Sequence, residues 1–464
     1  MSAPAPATTA PFDPEAVRAF RFTGLAVDLA GGTARFSYAL DERAFTETVT
    51  FVDLPPLSGP RAAAATRLLE LAYLIAGTSY YKAAAPGELR DETGLVAAYG
   101  ADALGDIYLH GLGEYAYVNR LDLAPRLRFT AAGPPAERTP VTGLDLAHRA
   151  LVPVGGGKDS AVSIEAARRA GTDPLLFTVG RHRAVDDTVA VAGLPLARVV
   201  RALDPELFAL NATGARNGHV PVTAVVMLLG AVCAVAHGCD AVALSNERSA
   251  SEGNLVWAGR EVNHQWSKGL AFERLLQQLL AAHVTPELDV FSLLRPLSEL
   301  SIAQRFARLT AYHPVVTSCN AAFRIEEGRR VHRWCGHCPK CHFVFLALAP
   351  FLGRAGVVEV FEGLDLYADP AQLDGYLALT GVAGDKPFEC VGEVVESRVA
   401  VRLAAETGDW DDAPAFGTLA ERVRAAGWPS DAQVAEALTP TAGPGQHAVP
   451  ERQADLLAAA LDLA

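Results

Sequence analysis

The residues that most constrain this chain are Val154–Ser160, a glycine loop that reads Val-Gly-Gly-Gly-Lys-Asp-Ser. A short β-rich run precedes it, and the next segment, Ala161–Ala170, has helix-forming composition and ends at Gly171. This order predicts a strand, a loop and a helix N-terminus. Glycines let the backbone approach a phosphate chain closely, and the free amides and dipole of a helix N-terminus favour negative charge. The pattern therefore predicts an anion-binding loop, with an ordinary strand-to-helix turn as the alternative.

The polar side chains of the glycine loop suit a nucleotide and its metal ion. Lys158 can neutralise one phosphate oxygen, the Ser160 hydroxyl can donate to another, and Asp159 can hold Mg²⁺ directly or through water. The loop is not a Walker motif, because Asp159 intervenes after Lys158 and the first glycine of that motif is missing. It resembles the Ser-Gly-Gly-x-Asp-Ser loop of the N-type ATP pyrophosphatases, with Gly155 in place of the first serine.

That resemblance implies an enzyme that splits ATP between its α- and β-phosphates, with a parallel-sheet core of the HUP type. The residues expected to bind ATP in this loop are Gly155, Gly156, Gly157, Lys158, Asp159 and Ser160.

Composition and charge set the outer limits of fold and function. The chain has 464 residues, half of them hydrophobic, so it is long enough for two or three domains with a large core. A formal charge of -13 argues against broad nucleic-acid binding and favours an anionic small molecule held in a local pocket. The longest apolar run, 222–236, is too short for a comfortable membrane span, and we interpret it as a buried helix.

The chain divides into four predicted regions. Residues 1–14 are rich in Ala, Pro and Thr and lack the features of a secretory signal, so they predict a disordered tail on a cytoplasmic protein. A mixed α+β domain is expected over 15–145, an ATP pyrophosphatase domain with a cysteine cluster over 146–350, and a helical region over 351–464. The oligomeric state is left open.

Alternating patterns support an α/β fold class. Residues 20–52 read as β-structure, and 61–76 has helical composition and periodicity with Gly77 as a stop. From 150 to about 282, strand candidates at 175–179 and 241–244 alternate with helices, as a parallel sheet requires.

Two polar loops follow those strand candidates. Ligands of open α/β sheets bind beyond the carboxyl ends of the strands, so Arg181-His182-Arg183 and Ser245–Ser249 should face the nucleotide, unless they are only solvated loops. We assign Asn246, Glu247 and Arg248 to ATP or its metal ion, and Arg181 and Arg183 to the substrate.

Three further segments narrow the resemblance. Residues 245–254, the run Val-Asn-His-Gln-Trp-Ser-Lys at 262–268, and Lys-Pro-Phe-Glu-Cys-Val-Gly-Glu at 386–393 resemble the ATP-dependent epimerases of UDP-N-acetylmuramoyl-L-alanyl-L-glutamate. The resemblance covers nearly the whole chain. It implies a UDP-muramoyl dipeptide substrate whose terminal L-glutamate becomes D-glutamate while ATP becomes AMP and diphosphate, in peptidoglycan precursor synthesis.

The chemistry implied by that resemblance needs an acid and a base. Removing a proton beside a free carboxylate would build a dianion, whereas an acyl-adenylate masks that charge and acidifies the α-carbon. His264, Lys268 and Glu252 are the predicted proton-transfer residues, and the first two would share a face if their segment were helical. The alternative is that Asn263, assigned here to the substrate, binds phosphate or carboxylate together with His264 and Lys268.

The cysteines carry a second signal. Cys335, Cys338 and Cys341 lie at two-residue intervals, and Cys319 precedes the first of them by fifteen intervening residues. Four thiolates suit a tetrahedral structural Zn²⁺. A redox pair, an iron–sulfur cluster or reduced core cysteines are the alternatives, and a nearby histidine could replace one sulfur. The remaining cysteines, Cys390 included, are interpreted as free thiols of a reducing compartment. For Cys390 the alternative is a functional thiol, because its neighbours in the sequence are polar.

Two other functions remain open from the residues. A carboxylate-adenylating ligase or amide synthase, similar to 7-cyano-7-deazaguanine synthase, would make the same adenylate and capture it with ammonia. An ATP- or zinc-binding regulatory module would bind these ligands without forming AMP.

Overall fold

The computed structural model of the chain describes residues 11–130, 138–324, 328, 330–384 and 386–463. Residues 1–10 of the predicted tail lie outside the described residues. The strands are β1 (Ala19–Asp28), β2 (Thr33–Leu40), β3 (Arg43–Val52), β4 (Glu88–Asp91), β5 (Phe129–Thr130), β6 (Ala147–Pro153), β7 (Leu175–Val179), β8 (Leu196–Ala202), β9 (Cys239–Leu244), β10 (Leu255–Trp257), β11 (Arg260–Val262) and β12 (Asp289–Ser292).

Helices flank and follow these strands. They are α1 (Gly59–Ala76), α2 (Thr78–Tyr81), α3 (Leu95–Tyr99), α4 (Ala101–Gly111), α5 (Gly113–Val118), α6 (Lys158–Arg169), α7 (Arg183–Ala192), α8 (Pro205–Thr213), α9 (Val222–His237), α10 (Leu270–Leu279), α11 (Glu299–Phe306), α12 (Pro339–Val360), α13 (Leu373–Leu379), α14 (Val394–Thr407), α15 (Pro414–Gly427), α16 (Asp431–Leu438) and α17 (Ala454–Leu461).

One large sheet organises the chain, with the strand order β12-β9-β6-β7-β8-β3-β2-β1-β4-β5. The strands from β12 to β8 are parallel to their neighbours, whereas β8, β3, β2 and β1 pair antiparallel. From β6 the chain adds β7 and β8 on one side, then crosses to the other side to add β9 and β12. The strand order therefore reverses between β6 and β9, the position where open α/β sheets bind ligands.

The parallel strands are buried on both faces. In β6, Leu151 joins the core that α1 and α9 cover, while Ala150 and Val152 join the core formed with α6, α11 and α12. Because successive side chains of a strand point to opposite faces, two helical layers enclose the sheet. The predicted buried helix at 222–236 is confirmed, since α9 lies in the first of these cores.

The N-terminal strands join the same sheet. The predicted β-structure of residues 20–52 is confirmed as the antiparallel strands β1 to β3. Strand β3 also pairs with β8, from Thr48 opposite Ala202 to Val52 opposite Arg198. One sheet thus contains strands from residues 15–145 and 146–350, and the division of the chain at 145 stays a prediction.

The fold class is confirmed as mixed α/β, with a large, mostly parallel sheet and a helical C-terminal region. Of the described residues, one helix is long and apolar enough to cross a membrane by length and composition, namely Pro339–Val360. Half of that apolar window is buried inside the protein, and Gly353 interrupts the helix with φ 65° and ψ 178°. These features are typical of a core helix.

Candidate active site

A cavity of about 590 Å³ lies beyond the carboxyl ends of β6, β7 and β9. The glycine loop, the loop after β7 and the loop after β9 contribute to its walls, together with the segment 317–320 and residues Lys268, Glu299, Lys340 and Cys390. Arg181, His182, Asn246 and Glu247, from the loops after β7 and β9, line this cavity together. That these loops face a nucleotide stays a prediction.

The glycine loop has the backbone geometry that its sequence requires. Gly156 has φ +82°, and a Cβ there would lie 3.2 Å from the main-chain carbon of Ala184. The N–H of Thr317 donates to the Gly156 carbonyl at 2.9 Å, which ties this loop to the segment 317–320. Gly155, in contrast, is exposed, and no atom lies within 4 Å of the Cβ position. The loop is thus packed against the protein at Gly156 and open to the cavity at Gly155.

We expect Gly156→Ala to destabilise the protein by about 1–3 kcal/mol, because it places a side chain at positive φ against a neighbouring backbone. Gly155→Ala is the matched control, since its methyl group meets open space. Thermal unfolding of the two variants checks the difference. Equal stability of Gly156→Ala and wild type would contradict the loop geometry.

Lys158 lies at the start of α6 between two carboxylates. Its Nζ contacts Asp159 Oδ1 and Glu299 Oε2, and the side chains of Lys158 and Glu299 are only 4% and 7% exposed. Although burial disfavours the ammonium, the carboxylates of Asp159 and Glu299 raise the pKa of Lys158. The cavity therefore contains a lysine ammonium at the N-terminus of α6 that is paired with two carboxylates, of which Asp159 is partly exposed.

A second group of titratable side chains meets around Cys390. Its Sγ lies 3.0 Å from Lys268 Nζ and 4.0 Å from His264 Nε2. Burial disfavours the Lys268 ammonium, but Cys390 and Glu247 raise the pKa of Lys268. Burial lowers the pKa of His264. At neutral pH Lys268 is thus an ammonium and His264 a neutral imidazole.

The condition under which His264 and Lys268 would share a helical face is not met. Their segment is a loop that ends in a 3₁₀ turn, Trp266–Lys268. The side-chain oxygen of Asn263 accepts from the N–H of Gln265 at 2.7 Å, so the asparagine stabilises a turn instead of a helix. Cys390, from a distant part of the chain, contacts the side chains of both His264 and Lys268.

Several predicted site residues lie outside the cavity lining. Arg183 is 70% exposed and pairs with Asp187, and the Arg248 guanidinium is 3.5 Å from Thr441 Oγ1. The Asn263 side chain donates to the Ala250 carbonyl at 2.9 Å. Substrate or ATP contacts by these three residues stay predictions.

Glu252 also lies away from the cavity lining, at the surface beside Glu393. Partial burial, with the Glu393 carboxylate, raises the pKa of Glu252 to about 7. The group can therefore exchange a proton near neutral pH, although it is not part of the cavity lining that includes Lys268 and Cys390.

Two buried residues that sequence reasoning missed organise the site. Glu299 is the countercharge of Lys158. Arg295, almost fully buried, donates to the main-chain carbonyls of Glu247 and Lys268 and pairs with Glu273 at 3.1 Å. Arg295 therefore fixes the loop after β9 relative to the turn that carries Lys268. In the sequence, Glu299 and Arg295 differ from other charged residues only in that they lie in an apolar stretch.

The cysteine cluster converges as the spacing predicted. The Sγ atoms of Cys319, Cys335, Cys338 and Cys341 all lie within 4.8 Å of one another. Individual separations are 3.5 Å for Cys338–Cys341, 3.8 Å for Cys335–Cys341 and 3.9 Å for Cys319–Cys338. A tetrahedral ion with Zn–S bonds of about 2.3 Å would place its sulfurs about 3.8 Å apart. The four thiols therefore fit Zn²⁺ without a histidine.

The cysteine cluster is joined directly to the cavity. Cys319 lies within the segment 317–320, whose Thr317 holds Gly156, and the Asn320 side chain donates to Glu389 Oε1 at 2.6 Å. Lys340, between two of the cysteines, lines the cavity as well. A ligand that holds the four sulfurs in place would therefore also hold the segment 317–320 and Lys340, which line the cavity.

Comparison with known proteins agrees with this arrangement. The family model described as the MurL N-terminal domain matches residues 11–293, and that described as the MurL C-terminal domain matches residues 315–434. A UDP-N-acetyl-alpha-D-muramoyl-L-alanyl-L-glutamate epimerase of Salinispora tropica is 49% identical over 449 residues, which are 95% of both chains.

Two further epimerases of the same description are similar along nearly their whole length. The one from a Micromonospora species is 47% identical over 450 residues, 95% of this chain and 98% of its own. The one from Xanthomonas oryzae pv. oryzae is 43% identical over 441 residues, 95% of this chain and 96% of its own. The resemblance inferred from three short sequence segments is thereby confirmed, and the chain belongs to the MurL family of epimerases.

Proposed function

We propose that this protein converts the terminal L-glutamate of UDP-N-acetylmuramoyl-L-alanyl-L-glutamate to D-glutamate through an acyl-adenylate, with release of AMP and diphosphate. The observation that carries the proposal is that residues of the glycine loop line the same cavity as Lys268 and Cys390. Activation of a carboxylate and proton transfer at the adjacent carbon need such a shared site. The substrate is taken from the printed name of the relatives, which are 43–49% identical.

The glycine loop supports ATP binding on physical grounds. The open space over Gly155 leaves room for a phosphate chain, and the N-terminus of α6 and the Lys158 ammonium supply positive charge. Attack of the glutamate carboxylate on the α-phosphorus expels diphosphate, and charge fixed in advance at this position stabilises the transition state. We infer from this an ATP pyrophosphatase type of core.

Oxygen ligands beside Lys158 fit Mg²⁺. Asp159 is partly exposed and lines the cavity. Burial raises the pKa of Glu299, and the nearby carboxylates of Asp159 and Glu247 raise it further. Carboxylates are the ligands that Mg²⁺ prefers. When bound, the ion would neutralise charge on the phosphates, and Asp159 with Glu247 would hold it.

We also propose that the cysteine cluster holds a structural Zn²⁺. The donor set is four sulfurs at tetrahedral separations. The free thiols Cys233 and Cys239 are buried in the core, which suits a reducing compartment such as the cytoplasm.

Incubation of the enzyme with the UDP-muramoyl dipeptide, ATP and Mg²⁺ tests the proposal. Chiral chromatography of the hydrolysed product should detect D-glutamate, and AMP and diphosphate should form in parallel with no added nucleophile. AMP formation only with ammonia, and a product amide, would instead indicate a ligase. Tight ATP binding with no AMP from the dipeptide would indicate a regulatory module.

A further inference from the structure

Cys390 differs from the other six cysteines of the chain in its surroundings. Four of those belong to the cysteine cluster, and Cys233 and Cys239 are buried in the core. Cys390 is half-buried and lines the cavity that contains the glycine loop. Its thiol is therefore accessible to a ligand that occupies this cavity.

Lys268 provides the charge that a thiolate needs. Its Nζ is 3.0 Å from Cys390 Sγ, and its carbonyl is fixed by the buried Arg295. The thiolate is the reactive form of cysteine, and an ammonium at this distance is placed as its counter-ion. Because Lys268 is already protonated, it is a poor acceptor for a substrate proton.

His264 completes the arrangement on the other side of the sulfur. Its N–H and its ring Nδ1 both contact Asn254 Oδ1, at 3.0 and 3.1 Å. An oxygen acceptor at Nδ1 selects the tautomer with hydrogen on Nδ1, which leaves Nε2 free to accept. Nε2 is the ring atom that lies 4.0 Å from Cys390 Sγ. A sulfur, a histidine and an orienting amide in this order form a proton path.

We propose that Cys390 is the catalytic base that exchanges the α-proton of the substrate glutamate, and that Lys268 and His264 act through it as positioning residues. The inference rests on the proposed function, because it requires the acyl-adenylate. It differs from the assignment made from sequence, in which His264, Lys268 and Glu252 transferred the proton.

The proton balance of the step is complete. The Cα–H bond breaks and an S–H bond forms on Cys390, while the electron pair of the broken bond moves into the acyl group as an enolate. Water on the opposite face returns a proton to Cα as the carbonyl re-forms. The thiol proton passes to His264 Nε2 and from there to bulk water, which restores the thiolate. The hydroxide left on the opposite face attacks the acyl carbon and expels AMP.

The test separates proton transfer from adenylation. In D₂O with the dipeptide substrate, ATP and Mg²⁺, NMR follows deuterium at Cα, and labelled diphosphate follows exchange into ATP. We expect Cys390→Ser to lose about 10²–10⁴-fold in deuterium incorporation, with diphosphate exchange near the wild-type rate. Cys233→Ala, at a buried cysteine that does not line the cavity, is the matched control and should leave both rates unchanged.

His264→Gln provides an independent check if Cys390→Ser does not fold. It should slow deuterium incorporation at least tenfold and leave diphosphate exchange intact. Deuterium incorporation at the wild-type rate in either folded variant would overturn the role of Cys390. Absence of diphosphate exchange in the wild-type enzyme would instead remove the adenylate, and with it the proposed function.

Discussion

Asp159→Asn is expected to reduce diphosphate release by about 10²–10³-fold, the usual effect of removing one group that stabilises transition-state charge. The substitution keeps the shape of the side chain but removes the negative charge that we assign to Mg²⁺. Measurement of AMP formation over a range of Mg²⁺ concentrations should show that the defect is partly relieved as the ion concentration rises.

Asp173→Asn is the matched control for this prediction. Asp173 is 82% exposed and lies just before β7, at the amino ends of the parallel strands, whereas the cavity lies at their carboxyl ends. Its replacement should leave AMP formation unchanged. Turnover of Asp159→Asn at the wild-type rate would refute nucleotide chemistry at the glycine loop.

Asp159 is a cleaner target than Lys158. Replacing Lys158 by methionine leaves Glu299 buried without its countercharge, and an uncompensated buried charge costs about 3–5 kcal/mol. A loss of activity in that variant would mix a folding defect with a catalytic one. Asp159 is 31% exposed, so its neutral form is tolerated far better.

The second large effect is expected at the cysteine cluster. Cys319→Ser should remove bound zinc and lower Tm by about 5–10 °C, since a ligand present at 1,000 times its Kd contributes about 4 kcal/mol. Activity should fall too, because Cys319 lies in the segment whose Thr317 holds Gly156. Elemental analysis of the purified protein, with calorimetry, measures both quantities.

Cys239→Ala controls for the loss of a thiol as such, because Cys239 is buried at the start of β9, outside the cluster. It should retain zinc and activity. One zinc per chain in wild type and none in Cys319→Ser is the expected pattern. Full metal content in Cys319→Ser would contradict a four-sulfur site.

Local patterns in the sequence predicted much of the fold. The strand at 175–179 and the buried helix after Pro221 follow from runs of apolar residues with clear boundaries. The pairing of β3 with β8 does not, because it joins residues about 150 positions apart in the chain and depends on packing. The sequence therefore indicated the elements better than their arrangement.

The candidate site divides in the same way. The glycine loop and the four cysteines were visible because their chemistry repeats at short spacing. The Cys390 group was not, since its thiol meets Lys268 across 122 positions of sequence. The segment of His264 is not helical because Asn263 favours a turn, and the spacing argument for His264 and Lys268 depended on a helix.

Residues 294–314, between the two matched family segments, include α11 and Glu299, the countercharge of Lys158. Chimeras that exchange the N-terminal and C-terminal parts of two relatives must therefore transfer this linker with the N-terminal part. If the junction were placed before Arg295, Lys158 would come from one parent and its partner Glu299 from the other.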